Sequence, residues 1–485
     1  MSVSQKNLSI SASPLTPIFG TPRDDTLAAS AEFQAVFGRA GDDVLSSMFN
    51  NTALFGGPGD DMLDVTLDLT ESDIAPSGLV ATCVDGGSGK DTISVDVTAF
   101  ADNPVAASFE TVVRGGAGSD VIDVSAVSDA IGDSVVSNVI SGGSGHDVIS
   151  ALAIGGAFFG GASTAINEIH GNSGNDHITA TAVVFSNWSL LARNHLDGGS
   201  GNDYLSASTI VDSNVSSPEG VNILYGRGGN DTLIASHATD GENGTTTLTS
   251  ELHGGSGNDS LTATMVALAE DSSSGVNLLY GGSGNDVMSA SVVADAFFGA
   301  TACNTLYGGG GRDTMSAYAD ASYYFLDPDL RGSAHNFLAG GNGNDHLTAT
   351  IETGSNGFSE LYGGNGRDTL VAIGGIGNIL DGGAGNDTIT GSAGRDEIIG
   401  GRGNDLLTGG LELDHFVFRT GDGRNAVTDF EDGTDLIRIT AGAADFSDVT
   451  VVARGTDTLV KFSNVTVLLE DVDASLVDAS DFLFG

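Results

Sequence analysis

A six-residue phrase, Gly281-Gly282-Ser283-Gly284-Asn285-Asp286, returns with small variations from Gly20 to Asp414, and each copy is followed two residues later by a large apolar side chain. The cleanest copies end at Asp203, Asp231, Asp259, Asp286, Asp345, Asp368, Asp387 and Asp405; looser ones end at Asp25, Asp43, Asp61, Asp91, Asp120, Asp147, Asp176, Asp313, Asp396 and Asp414. Self-similarity at a fixed period is the mark of a solenoid, which grows by adding coils and needs no second core. The length of 485 residues would otherwise suggest about three globular domains. The expected fold class is all-β: a right-handed parallel β-roll or β-helix solenoid with stacked turns and a small C-terminal β cap.

Glycine suits such a turn because it reaches backbone angles closed to residues with a Cβ and lets carbonyl oxygens converge on one point. Aspartate adds negative charge. The phrase follows the nonapeptide Gly-Gly-x-Gly-x-Asp-x-U-x, with U a large apolar residue, and so resembles the RTX (repeats in toxin) family. The resemblance spans Gly20 to Asp414 and implies calcium ions held between stacked turns by carbonyl and carboxylate oxygens, which suits calcium's demand for six to eight oxygen ligands. Carried onto this sequence, the expected metal ligands are Asp43, Asp61, Asp91, Asp120, Asp147, Asp176, Asp203, Asp231, Asp259, Asp286, Asp313, Asp345, Asp368, Asp387, Asp396 and Asp405. The turn glycines expected with them include Gly199, Gly201, Gly255, Gly257, Gly282, Gly284, Gly383 and Gly385. The copies at Asp25 and Asp414 lack turn glycines and read equally well as capping turns.

With 72 glycines and a net charge of −47, the chain would ordinarily suggest disorder, yet 40% of its residues are hydrophobic. Its acid lies largely at turn positions, so the reading is a chain that folds once cations neutralise it. The three lysines, Lys6, Lys90 and Lys461, and the scattered arginines form no basic stripe, which argues against nucleic acid. Cys83 and Cys303 lie about eight coils apart; at roughly 4.8 Å per coil they are beyond disulfide reach.

Turn aspartates step by 18 at the start, by 27 to 32 through most of the centre, and by 9 in the three steps ending at Asp414. Two nine-residue units make one regular coil with a turn on each side. The long central coils are therefore expected to keep one turn and replace the other with an arm, such as Ile210 to Gly220 or His237 to Thr247. Two residues after each turn comes Ile149, Ile178, Leu205, Leu233, Leu261, Met288, Met315, Leu347 or Leu370, and two further on an alanine, Ala151 through Ala372. Even spacing places both on one strand face. Before the turn, Ile140, Ile169, Leu196, Leu224, Leu252, Leu279, Leu306, Leu338, Leu361 and Leu380 form the opposing column. Two residues earlier again, Asn138, Asn167, Asn194, Asn222, Asn277, Asn304, Asn336 and Asn378 read as an amide ladder bonded to itself and to the bend backbone. The expected divisions are a lead-in over 1–18, the roll over 19–414 and a cap with export signal over 415–485.

Beyond Asp414, Phe416-Val417-Phe418 and Val427 to Ile437 resemble the segment that closes RTX rolls in type I secreted proteins. Short strands are expected at Val449–Ala453, Thr458–Phe462 and Val465–Leu469. The acid before three large apolar residues in Asp481-Phe482-Leu483-Phe484 is similar to an uncleaved C-terminal signal, implying a type I exporter as partner. Met1 to Ile10 lacks a basic, apolar leader, and no run of about 18 apolar residues could span a bilayer. No His-Glu-x-x-His or Gly-x-Ser-x-Gly signature occurs, and with repeats beginning by Gly20 no catalytic domain is expected ahead of the roll. His170 and His253 share a position with Tyr225, Tyr280, Tyr307 and Tyr362, which reads as surface packing. The favoured function is a secreted, calcium-dependent structural or adhesive protein of the cell surface or matrix, meeting surface polysaccharide or another surface protein. The alternative is a polysaccharide lyase or epimerase built on the roll's flank, for which Tyr323, Tyr324, Arg331 and His335 are the one concentration of suitable residues.

Overall fold

Strict alternation of inward apolar and outward polar residues on both sides of each glycine turn makes every coil a pair of strands with a thin interior between them. The computed structural model describes residues 15–70, 79–101, 106–157, 161–186, 188–213, 217–239, 244–297, 299–321 and 332–485. Tyr323, Tyr324 and Arg331, singled out from the sequence, lie outside these. Two units form: Met1–Leu252 with Leu268–Glu270, and His253–Ala267 with Asp271–Gly485. Each is a parallel β-solenoid. One sheet holds the strands entering the turns and the other holds the strands leaving them. No described helix is long and apolar enough to cross a membrane.

In the first unit the strand Val148–Ala157, leaving a turn, pairs in parallel with Val121–Ala130 on one side and His177–Ser186 on the other. The register stacks Ile149 on Ile178, Leu205 and Leu233, and Ala151 on Ala180, Ala207 and Ala235. The entering strands stack Ile140, Ile169, Leu196 and Leu224 against them. The second unit repeats this with Met288, Met315, Leu347, Leu370, Ile389 and Leu407 facing Leu279, Leu306, Leu338, Leu361, Leu380 and Ile398. All these side chains are at most 3% exposed, and burying each large one contributes roughly 1.5–3 kcal/mol. The paired small alanines hold the two sheets close.

The amide ladder lies inside this core. Asn138 Nδ2 donates to Asn167 Oδ1, Asn167 to Asn194 and Asn194 to Asn222, each at 2.9 Å. Asn277, Asn304 and Asn336 repeat it at the same distance. The second amide hydrogen does not go to the bend, as the sequence suggested. It crosses the interior to the leaving strand: Asn167 to the Thr181 carbonyl at 2.9 Å, Asn194 to Ser208 at 2.8 Å, Asn336 to Thr350 at 2.9 Å. The side chain faces inward on a flat strand, so the facing strand's carbonyl is in reach. Asn378 is the exception, donating to Gly374 in the bend at 3.0 Å. Where the column carries Ser250, His237 fills the gap from the opposite sheet, 3.0 Å from the Ser250 hydroxyl and in contact with Thr209; burial pushes its imidazole down to about 4.

A stacked amide is both donor and acceptor, so the column satisfies itself; a carboxylate is acceptor only. Asn194→Asp would bury a charge with no counter-ion and orphan an acceptor of its neighbours. The expected loss is about 3–5 kcal/mol at pH 8, read from denaturant melts in calcium and shrinking as the pH is lowered toward 5.

Toward the C-terminus the leaving strands shorten to three residues, as in Thr388–Thr390 and Leu406–Thr408. His415–Arg419, Leu436–Ala441 and Phe482–Phe484 then continue the entering sheet in parallel. Thr450–Arg454, Asp457–Phe462 and Val465–Leu469 form an antiparallel meander, joined to the leaving sheet through Arg424–Val427. These strands lie within a residue of the positions read from the alternation. The chain's last apolar triplet is itself a strand, with Phe482 buried.

Candidate metal centres

All sixteen aspartates singled out from the sequence are at most 3% exposed. Their carboxylates stack along the turns. The main-chain N–H of each aspartate donates to Oδ1 of the next coil's aspartate at 2.8–2.9 Å, running Asp43, Asp61, Asp91, Asp120, Asp147, Asp176, Asp203, Asp231 in the first unit. Asp259, Asp286, Asp313, Asp345, Asp368, Asp387 and Asp405 do the same in the second. A companion ladder of opposite polarity runs one residue earlier, where the later coil donates: Asn202 N–H to Asn175 Oδ1 at 2.7 Å and Asn404 N–H to Asn386 Oδ1 at 2.8 Å. Together the two hold neighbouring turns in register.

The other carboxylate oxygen has no such partner. Oδ2 of Asp43, Asp61, Asp91, Asp120, Asp147, Asp176, Asp203, Asp286, Asp313, Asp345, Asp368, Asp387 and Asp405 is buried without a hydrogen-bond donor. It points at the first glycine of its own turn. At Gly363, a Cβ would sit 2.6 Å from Asp368 Oδ2 and 2.7 Å from the Gly382 carbonyl oxygen of the next coil, and the same pair of oxygens meets at Gly86, Gly115, Gly254 and Gly308. The glycines at the second and fourth positions of the turn adopt left-handed angles, φ +101° at Gly199, +130° at Gly201, +109° at Gly255, +129° at Gly257, +110° at Gly282, +127° at Gly284, +91° at Gly383 and +154° at Gly385. Among the described residues no three Asp, Glu, His or Cys side chains converge as a metal cluster. An ion here must be held chiefly by main-chain carbonyls with carboxylates, an all-oxygen set suited to a hard cation of calcium's size. The orphaned oxygens and glycine cradles fit that ion.

Asp396 departs from the pattern, because its Oδ2 accepts the Ser392 N–H where another turn has its second glycine. Asp25 is likewise capped, by the Thr21 N–H and hydroxyl. Asp414, in a turn short of glycine, nevertheless joins a second ladder, Asn378 to Asp396 to Asp414 to Asp435, and its Oδ2 is buried without a donor. Asp435 escaped the sequence reading; the signal available was Ile437 two residues later. This second ladder occupies the register of the asparagine column, since Asn378, Asp396 and Asp414 each precede an inward Leu380, Ile398 or Phe416 by two. In most long coils, which have lost the second turn, the position is asparagine, with serine at Ser250 and Ser359; where the turn returns, at Asp396 and Asp414, it is aspartate.

Burial pushes Asp91, Asp313, Asp387 and Asp414 up to about 7 and Asp147, Asp176, Asp368 and Asp405 up to about 6; main-chain N–H donors pull them back and neighbouring carboxylates push further. A carboxyl raised on folding stabilises the metal-free fold below its unfolded value near 4, and that contribution is lost as pH climbs through 6–7. Metal-free protein should therefore show more strand by circular dichroism at about pH 4.5 than at pH 8. Calcium binding at about pH 6.5 should release protons, measurable by titration in two buffers of different ionisation heat; buffer-independent heats would contradict this.

Residues 19–65, 137–153, 162–182, 192–209, 219–240, 251–264, 271–295, 294–322, 332–350, 353–378 and 373–407 match the RTX calcium-binding nonapeptide repeat (4 copies), together more than half of the chain. No curated protein gives a significant match. Among solved structures, the extracellular lipase LipA from Serratia marcescens is similar at 19% identity and a TM-score of 0.23, over 44% of this chain and 40% of the lipase. The chain thus spans less than half the length of that protein. With the repeat matched on turn after turn and those turns stacked coil upon coil, the chain belongs to the RTX calcium-binding nonapeptide repeat family.

Proposed function

We propose that this calcium-binding RTX protein is exported unfolded, folds on calcium outside the cell, and serves there as a structural or adhesive component of the surface or matrix. The observation that carries the reading is the column of buried, donorless Asp Oδ2 atoms. Bound calcium would supply the positive charge that the column lacks. In this reading the ligands are the aspartates from Asp43 to Asp405 named above, Asp396 excepted because Ser392 caps it, with carbonyls from turns such as Gly199 to Gly201, Gly255 to Gly257, Gly282 to Gly284 and Gly383 to Gly385. Residues 19–414 form the calcium-dependent roll, 1–18 its lead-in and 415–485 the cap with its export signal. Cytosolic calcium is too low to fill weak sites, so the chain stays threadable until it emerges.

A type I exporter would read the terminal Asp481-Phe482-Leu483-Phe484. Deleting Ala474 to Gly485 removes the last strand of the folded cap, but export of an unfolded chain does not depend on that strand. The truncated protein should therefore accumulate inside cells whose full-length protein is recovered from the medium or, after EDTA, from the cell surface. Undiminished export would overturn the reading.

A further inference from the structure

The outer face of the entering sheet in the first unit carries a depression of about 780 Å³. It opens where one outward column falls to a small residue: Arg114, Ser141, His170, Asp197 and Tyr225 stack in successive coils, and Ser141 leaves room between its long neighbours. His195 stands in the next column, its ring edge-on to His170 at 6.1 Å and to Tyr225 at 5.7 Å between centroids. Glu168 Oε1 is 3.7 Å from His170 Nε2.

Two of the lining residues break the repeat. In three described turns the second glycine is replaced by a residue that keeps a left-handed backbone, Arg39 at φ +87°, Asn172 at +76° and Arg227 at +76°. Such an angle is uncommon for a residue with a Cβ, asparagine adopting it more readily than arginine. Asn172 and Arg227 both line the depression. Arg227 turns back over it, its guanidinium carbon 4.5 Å from the Tyr225 ring centre and its Nη2 2.8 Å from Asp197 Oδ2. An arginine held at a left-handed angle where the repeat has glycine, with its side chain over the hollow, points to a ligand.

From this arrangement we infer that the depression over His170, His195, Asp197, Tyr225 and Arg227 binds a short stretch of neutral hexose polysaccharide. Aromatic rings offer flat faces to the C–H side of a pyranose. Asp197, Glu168 and Asn172 keep acceptor lone pairs beyond the bonds that Arg227 makes to Asp197 and that the Asn172 amide makes to Ser141, and these suit sugar hydroxyls. The volume falls in the range of ordinary ligand sites. The site carries no surplus positive charge for a polyanion: Arg227 is bidentate to Asp197, Arg114 stacks beside Asp85, and the whole chain is strongly acidic. The inference does not depend on where the protein ends up, and purified protein tests it.

Calcium-loaded full-length protein would be titrated by calorimetry with gluco-, manno- and galacto-oligosaccharides of three to six units, with oligogalacturonates as the charged comparison. Saturable binding to at least one neutral series is expected, weakened at least tenfold in Tyr225→Ala and in Arg227→Gly. Arg227→Gly restores the repeat's own glycine, so it should melt no lower than the parent and separates a binding defect from a folding one. No binding by any neutral series, stronger binding of oligogalacturonates, or unchanged affinity in both variants would overturn the inference.

Discussion

Treated with excess EDTA at pH 7.5, the protein is expected to lose its strand-rich circular dichroism and become protease-sensitive along the turns, and to recover both when calcium returns to millimolar levels. The stacked carboxylates lie one strand spacing apart, buried, with Oδ2 left without a donor at the turn aspartates named above. Burial keeps bulk solvent from screening that column, so each charge left without a cation repels its neighbours above and below at low effective dielectric. If each site binds with a Kd of about 10⁻⁴ M, as weak extracellular modules do, 1 mM calcium contributes about 1.4 kcal/mol per site by mass action. Several such sites together match the whole stability of an ordinary domain, 5–15 kcal/mol. A strand spectrum that survives the chelator at this pH would refute the central reading.

Placing a methyl group on a turn glycine that faces the preceding coil should be nearly as damaging. At Gly118, φ is +142° and a Cβ would overlap the Gly89 carbonyl oxygen; at Gly366, φ is +142° and it would overlap that of Gly343. Neither backbone can withdraw, because both turns are pinned by ladders on each side. Gly118→Ala or Gly366→Ala should cost more than about 4 kcal/mol and raise the calcium midpoint for folding severalfold. Gly310 is the control: no atom lies within 4 Å of its Cβ position, and other copies carry serine there, as at Ser256 and Ser283. Gly310→Ser should change stability by less than about 0.5 kcal/mol. Equal tolerance at Gly118 and Gly310 would mean that the coils do not approach as closely as described.

The sequence also offered a concentration of Tyr, Arg and His before Asp345 as a possible flank site, and the structure shifts attention elsewhere. Tyr323, Tyr324 and Arg331 fall outside the described residues, while His335 packs against Glu360 at 3.4 Å and the Phe358 ring. The cluster around His170 and Tyr225 is assembled from five successive coils, so no short window of the sequence contains it. Likewise His170 and Tyr225 do share a column, yet that column also holds Arg114 and Asp197, and only stacking reveals that a packing column doubles as the wall of a hollow.

What the chain dictates by itself is the coil. The glycine pattern sets the turn, the residue two past each aspartate sets the inward face, and the step lengths tell long coils from short ones, because each is a local property written many times over. What only the tertiary structure decides is how coils answer one another across 18 to 32 residues of intervening chain. It shows that Oδ1 is spent on the neighbouring coil's N–H while Oδ2 is left over, that the asparagines bond across the core, and that Asn378, Asp396 and Asp414 are one column in two chemical states. A period in the sequence gives the position of a side chain within its own coil. Whether that side chain finds a donor, a carbonyl or another carboxylate depends on the rung beside it, and that is settled by stacking.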